Sequence, residues 1–174
     1  YTLSLHDALP IFMAWVMDTC SMHVRLTVTS VVTGKPIGLG GSAGRREATG
    51  RGVLFVLQDA AAVCGVDLSK ARVVVQGFGN VGGVAAELIH AECGAKIVAV
   101  SDIEGAIYNE SGLDIPALVA WVAKHRTVVG FPNATAVDAA TMLELPCEVL
   151  IPAATENVIR HSNAARVQAR IIIE

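Results

Sequence analysis

Arg72-Val73-Val74-Val75-Gln76-Gly77-Phe78-Gly79-Asn80-Val81-Gly82 is the stretch that decides the fold. Its first five residues are a short β-branched run, which predicts a strand buried on both faces. Gly77, Gly79 and Gly82 then fall in a G-x-G-x-x-G spacing. Val81, Val84, Ala85, Leu88 and Ile89 continue at helical offsets as far as Gly94. A glycine triplet alone is a weak signal, but between a strand and a helix it has a physical purpose. Gly77 permits the tight turn, Gly79 lets the backbone come close to a diphosphate, and Gly82 lets the helix pack on the strand. The helix start then offers unpaired N–H groups and a partial positive charge to the phosphates.

The flanking sequence carries the same logic outward. Lys96 to Val100 is a second strand-like run, and Asp102 stands 20 residues after Gly82, at its end. An acid there is suited to accept ribose hydroxyls and to repel a 2′-phosphate, which favours NAD over NADP as cofactor. Asp114 is placed to cap a helix through Leu118, Val119 and Val122, with Pro116 in its first turn. Glu148 to Ile151 and Arg170 to Ile173 read as two further strands. Upstream, Val53, Val56, Leu57, Ala60, Ala61 and Cys64 mark a helix from about Arg46 to Cys64, with Gly65 as its stop. Alternating strands and helices with short connections predict an α/β fold: a Rossmann-like, doubly wound, mostly parallel sheet covered on both faces.

Composition bounds the rest. A chain of 174 residues holds one domain, or one plus a remnant of another. Hydrophobic residues make up 53% and charged residues 17%, with a mean hydropathy of +0.54, which excludes a disordered chain. The net charge of -3 leaves no electrostatic footprint for nucleic acid. No apolar run approaches the roughly 18 residues that span a bilayer. So short and apolar a chain has surfaces meant to be covered, by copies of itself or by the rest of a larger protein. Cys20, Cys64, Cys93 and Cys147 form no C-x-x-C pair and read as buried free thiols of a reducing, cytoplasmic setting. His6, His23, His90, His125 and His161 share no metal-ligand spacing and read as ordinary surface or boundary histidines.

A second constellation precedes the glycine turn. Residues 12–33 begin helix-like (Phe12, Trp15, Val16) and become β-branched over Thr27 to Thr33, and Gly34 to Gly44 must be loop or turns. Gly40-Gly41-Ser42-Ala43-Gly44-Arg45 is followed by Glu47-Ala48-Thr49-Gly50-Arg51-Gly52. Such glycines admit an oxyanion close to the backbone, and a guanidinium holds a carboxylate in a two-pronged grip. A flexible loop with solvated arginines explains the same residues equally well, and Arg46 and Arg51 fit that description.

Taken in order, VVTGKP (31–36), GGSAGR (40–45), ATGRG (48–52), GFGNVG (77–82), Ser101-Asp102 and IPAATEN (151–157) resemble the glutamate/leucine/phenylalanine/valine dehydrogenase family. The likeness runs from about Met13 to Glu174, and the ATGRG and GFGNVG pair is nearer its glutamate branch. The resemblance implies reversible, NAD(P)-dependent oxidative deamination of L-glutamate to 2-oxoglutarate and ammonia. It implies Thr49 at the nicotinamide end of the cofactor, and Phe78, Asn80 and Val81 along its phosphates. It implies Asp102 at the adenosine ribose, Ala154 and Asn157 near the nicotinamide ribose, and Arg45 on the substrate carboxylate. It also implies a homo-oligomer, usually a hexamer.

The departures define what is expected of this stretch of chain. Residues 1–11 do not resemble what precedes the M-A-W-M-D-like segment in the family and read as a foreign or artefactual leader, so Asp7 is not matched to a catalytic aspartate. Cys20 stands where tyrosine is usual. Residues 12–45 then read as a remnant of the preceding substrate domain and hinge, and 46–174 as a dinucleotide-binding domain that is incomplete at its C-terminal end. None of the four lysines, Lys35, Lys70, Lys96 and Lys124, lies in the glycine-rich context the family uses for catalysis. The expectation is a coenzyme-binding part without turnover of its own; a non-catalytic dinucleotide-binding regulatory module, or a dehydrogenase of leucine, phenylalanine or valine, is the alternative.

Overall fold

The computed structural model describes residues 5–174, with the side chains of residues 5–9 outside the description. Most of the expected leader, with Asp7 and His6, therefore lies outside the described residues or side chains. The chain divides into two compact units, Tyr1–Arg45 and Arg46–Glu174.

In the first unit, α1 (Leu5–Val24) carries the helix-like segment, with Pro10 inside it. The β-branched residues after it form no strand: Thr29–Val31 is one 3-10 turn and Ile37–Leu39 another. The hydroxyl of Ser21 accepts the Val28 N–H at 3.0 Å, folding the chain back on the helix end. The Lys35 ammonium donates to the Val32 carbonyl at 2.9 Å, so this lysine is engaged by its own turn.

The second unit opens with α2 (Arg45–Cys64), of which Arg46 onward belongs to it. Gly65, at φ +63°, ends that helix in the left-handed region that favours glycine. Next come β1 (Arg72–Gln76), α3 (Gly82–Cys93) and β2 (Lys96–Ser101). They are followed by β3 (Ala106–Tyr108), α4 (Ile115–His125), β4 (Thr135–Val137), α5 (Ala139–Met142), β5 (Val149–Pro152) and β6 (Ile171–Ile172). The sheet order is β4-β3-β2-β1-β5-β6. β2, β1, β5 and β6 are parallel neighbours, and β3 and β4 add an antiparallel extension beside β2. β1, the strand of the glycine motif, is thus central, and its Val73, Val74 and Val75 are fully buried.

Alternation along the strands divides the core in two. Val73, Val75, Val100, Val149 and Ile151 face a layer formed by Leu54 and Leu57 of α2, Ala85 and Ile89 of α3 and Leu118 of α4. Val74 and Leu150 face the other side, covered by Met142, Leu143, Cys147 and the irregular segment carrying Val158, Ile159 and Val167. Val98 and Ala99 both belong to this second side because the register with β1 slips there: Val73 pairs with Ile97 but Val74 with Ala99. One extra residue in β2, a bulge, puts two successive side chains on one face.

Local chemistry fixes the element ends. The Asp114 carboxylate accepts the Ala117 N–H at 3.0 Å, which makes it the cap of α4, with Pro116 in the first turn. Gly94 closes α3 at φ +67°. Arg72 at the start of β1 grips Glu148 beside β5 with a forked pair, Nη2 to Oε1 at 3.0 Å and Nε to Oε2 at 3.3 Å, and its backbone N–H adds a third bond at 2.7 Å. This arrangement holds the Glu148 carboxyl below the ordinary glutamate range.

The thiols depart from the expectation of uniform burial. All four are free, but only Cys147 is buried, Cys20 and Cys93 are half-buried, and Cys64 is exposed. Cys64 is the last residue of α2, where the helix runs out into solvent and its carbonyl accepts the Arg170 guanidinium at 2.6 Å. Burial pushes the Cys147 thiol up to about 11. Among the described residues no His, Cys, Asp and Glu cluster could hold a metal ion, and no helix is long and apolar enough to cross a membrane.

Candidate functional site

The three motif glycines do three different jobs. Gly77 turns the chain at φ +89°, and a Cβ there would stand 2.8 Å from the Ala154 Cβ and 2.9 Å from the Ala153 carbonyl oxygen. Both its conformation and the closeness of the segment after β5 exclude a side chain. A Cβ on Gly82 would collide with the Gly77 carbonyl oxygen, so α3 can seat on the turn only with glycine there. Gly79 is different. Among the described residues, a Cβ there would meet no atom within 4 Å, so none of them requires glycine at this position. The open space lies outside the backbone where α3 begins, and no side chain of the described residues caps that helix start. A ligand anion can therefore reach amides that a side chain has not already occupied.

Neighbouring strand ends complete the turn. The Gly77 N–H donates to the Ser101 hydroxyl at 3.3 Å, and Ser101 is buried at 3% exposure. The ends of β1 and β2 are thereby tied together beneath the glycines, while Ala154 packs against Gly77 from the β5 side. Gln76, the last residue of β1, has a buried Oε1 with no hydrogen-bond partner among the described residues. Phe78 is 9% exposed and belongs to the helical-side core, so its side chain anchors the turn while its backbone remains on the loop. Asn80 is exposed and Val81 half-buried.

Asp102 is more occupied than its position in the sequence predicts. Its Oδ1 accepts the N–H groups of Glu104 at 2.8 Å and Gly105 at 3.1 Å, and its Oδ2 accepts that of Val128 at 2.7 Å. The carboxylate organises the turn that follows β2 and pins it to the segment after α4.

Thr49 lies exposed in the first part of α2, and Gly50 beside it is buried. A Cβ on Gly50 would come 2.7 Å from Val84 Cγ1 and 2.8 Å from the Ala85 nitrogen, so α2 crosses the first turns of α3 at backbone contact distance. Arg51 is not a solvated arginine: it bridges Glu47 at 3.1 Å and Glu92 at 3.0 Å, linking α2 to the far end of α3. Arg45, in the first unit, lays its guanidinium against Gly34, where a Cβ would sit 3.2 Å from Cζ. Asn157 is exposed, adopts φ +57°, and its carbonyl accepts the Arg160 guanidinium at 2.7 Å.

The structure thus brings Gly77, Gly82, Ser101 and Ala154 together and sets α2 against α3 next to Thr49. Asn157 is engaged elsewhere, by the Arg160 guanidinium. The sequence assigned no role of their own to Ser101, Gln76 and Gly50. The first two carried a signal, since each is a polar residue at the end of an apolar strand; Gly50 was one of several glycines read as making room for an anion, and its contact with α3 is set by tertiary structure.

Comparison with known proteins places this geometry in context. The family model of the glutamate/leucine/phenylalanine/valine dehydrogenases matches residues 40–174. A glutamate dehydrogenase of Thermotoga maritima is 51% identical over 162 residues, covering 93% of this chain and 39% of that protein. Among solved structures, the hetero-hexameric glutamate dehydrogenase of Thermus thermophilus in a leucine-bound form superposes with a TM-score of 0.85 at 39% identity, covering 95% of this chain and 38% of that one. The glutamate dehydrogenase of Peptoniphilus asaccharolyticus gives a TM-score of 0.73 at 31% identity, with coverages of 94% and 37%. The chain spans about two fifths of the length of these relatives.

Proposed function

This chain belongs to the glutamate/leucine/phenylalanine/valine dehydrogenase family, and from that premise we propose that it is the coenzyme-binding part of a glutamate dehydrogenase. The whole protein interconverts L-glutamate with 2-oxoglutarate and ammonia, using NAD, with NADP as the alternative cofactor. The open approach to Gly79, at a strand-to-helix turn whose other two glycines are demanded by packing, carries the cofactor half of this reading. The 51% identity to a glutamate dehydrogenase supports the substrate.

In this reading the amides of Phe78, Asn80 and Val81 and the bare backbone at Gly79 take the diphosphate, with Gly77 and Gly82 shaping the turn. Asp102 receives the adenosine ribose, Ala154 and Asn157 flank the nicotinamide ribose, and Thr49 meets the nicotinamide end. When bound, the nicotinamide supplies the acceptor or donor of hydride. Arg45 holds the substrate carboxylate, and Gly34 leaves room for its guanidinium. Deamination also needs a base to activate water and a cation to polarise the carbon being attacked. None of the four lysines here matches the glycine-rich stretch that carries the catalytic lysine of the family, and Lys35 is held by the Val32 carbonyl. Those groups belong to the rest of the whole protein. Residues 46–174 are assigned to the coenzyme domain and 12–45 to the adjoining substrate domain and hinge, with 1–11 a foreign leader. The hexameric relative supports an oligomeric whole protein.

Calorimetric titration of the 174-residue chain with NAD and with NADP tests the cofactor half: saturable binding is expected, tighter for NAD, and no binding of either overturns it. Assay of the whole protein with L-glutamate, L-leucine, L-phenylalanine and L-valine tests the substrate. Glutamate is expected to give the highest kcat/KM, and a preference for any of the others overturns that half.

A further inference from the structure

Beside the glycine turn lies a cavity of about 190 Å³, bounded by Phe78, Gly79, Asn80 and Gly83 on one side and by the Val119 and Val122 face of α4 on the other. Gly83 contributes no side chain to it, which keeps the space open. Arg46 lines this cavity. Unlike Arg51, which is bridged by Glu47 and Glu92, Arg46 makes no ion pair or hydrogen bond among the described residues. Glu87 lines the same cavity but forms no ion pair with Arg46.

We infer that Arg46 is a phosphate-binding residue of the dinucleotide site, its guanidinium closing over the diphosphate from the α2 side while the Gly79–Val81 amides hold it from below. The inference rests on the dinucleotide reading of the glycine turn and adds a residue that the motif does not contain. An unpaired guanidinium that lines the same cavity as Gly79 and Asn80 can meet an anion that a ligand brings there. The space over Gly79 leaves room for one. A guanidinium suits a diphosphate because its planar fork meets two oxygens at once. An interaction at this exposed position is screened by salt, so it also gives cofactor binding an ionic-strength dependence that the amides alone would not give.

The test is calorimetric titration of the wild-type chain and of R46Q and R46K with NAD, NADP and adenosine, at low and at high salt. R46Q is expected to weaken NAD and NADP equally, about tenfold at low salt, to flatten the salt dependence, and to leave adenosine unchanged. R46K is expected to recover part of the loss. Thermal melting of R46Q is expected to match wild type, since Arg46 is exposed and its side chain makes no bond among the described residues. NAD affinity in R46Q within twofold of wild type overturns the inference and leaves the dinucleotide reading standing. A loss for NADP alone means that Arg46 reads the 2′-phosphate and overturns the diphosphate assignment. An equal loss for adenosine means that the residue shapes the pocket without touching phosphate, and likewise overturns it. Failure of the wild-type chain to bind NAD or NADP sinks the dinucleotide reading itself, and Arg46 with it.

Discussion

Alanine at Gly79 and alanine at Gly82 should fail in opposite ways, although both break the same motif. At Gly82 the new Cβ runs into the Gly77 carbonyl oxygen, a backbone atom that cannot swing aside. Relief requires α3 to shift off β1, where Ala85, Ala86 and Ile89 are fully buried. Overpacking of this kind costs about 3 kcal/mol, the top of its usual range. In a unit of this size that lowers Tm by on the order of 10 °C. At Gly79 the Cβ enters empty space, and the residue is not among the glycines with left-handed φ. Alanine there is neutral or stabilising by up to about 1 kcal/mol, because it restricts the unfolded chain. The same methyl group occupies the surface that a diphosphate must reach. A hydrogen bond to a charged group is worth about 1.5–3 kcal/mol, so losing even one weakens NAD roughly 10- to 150-fold. Differential scanning calorimetry and titration with NAD on the two variants separate the effects. G79A binding NAD as wild type does would remove the diphosphate from this turn. G82A melting at the wild-type temperature would refute the packing argument.

Three further outcomes follow from other parts of the molecule. G50A should destabilise the second unit by about 2–3 kcal/mol in denaturant unfolding, because its Cβ meets the Ala85 backbone nitrogen; a change below 0.5 kcal/mol would mean that α2 and α3 are not in backbone contact. The lowered Glu148 carboxyl stabilises the fold above the unfolded glutamate value of about 4.3 and loses that contribution as pH falls through its lower folded value. E148Q should therefore remove about 1 kcal/mol at pH 7, discounted for a side chain 29% exposed, and a Tm–pH profile between pH 3 and 6 should show a shallower acid limb than wild type. With its thiol pushed up to about 11 by burial, Cys147 should resist alkylation at pH 8 until the chain unfolds, while exposed Cys64 reacts first; mass spectrometry of partly labelled protein with Cys147 modified early would contradict this.

Periodicity and punctuation sufficed for the parallel half of the sheet because those strands are continuous apolar runs, and Gly77 and Gly94 mark the connection between β1 and β2. β1, β2, β5 and β6 and the helices α2, α3 and α4 lie where Val73 to Val75, Ile97 to Val100, Val149 to Ile151 and the caps at Asp114 and Gly94 put them. The antiparallel pair β3 and β4 was not legible. Each has three residues, too few to show alternation, and Thr135 and Ala136 are exposed. β3 depends on pairing with the outer side of β2, and β4 on pairing with β3, which is information held in tertiary structure. Among the site residues, the glycines were legible because turn geometry constrains them locally. Arg46 and Arg51 were not told apart: the i, i+4 spacing of Glu47 and Arg51 allows a bridge that Arg46 lacks, but the second partner, Glu92 on α3, is set by tertiary structure.

Asp102 shows how an acid at a strand end can serve fold and ligand together, and what that does to cofactor choice. A carboxylate has about four acceptor positions on two oxygens. Three are taken by the amides of Glu104, Gly105 and Val128, two on Oδ1 and one on Oδ2. One position remains, on Oδ2, so the residue can accept a single ribose hydroxyl without giving up its turn. Three N–H dipoles already point at it before any ligand arrives and partly offset its field. The repulsion it exerts on a 2′-phosphate is correspondingly weaker than that of a free carboxylate at the same place. The preference for NAD that the sequence pattern implies should accordingly be a matter of degree. Removing the acid should disturb the Asp102–Gly105 turn along with the cofactor, so D102A is expected to lose NAD affinity and stability together in calorimetric titration and melting; D102N keeps one acceptor oxygen for the Glu104 and Gly105 amides but sets an NH2 donor against the Val128 N–H, so it is expected to lose stability too, by less.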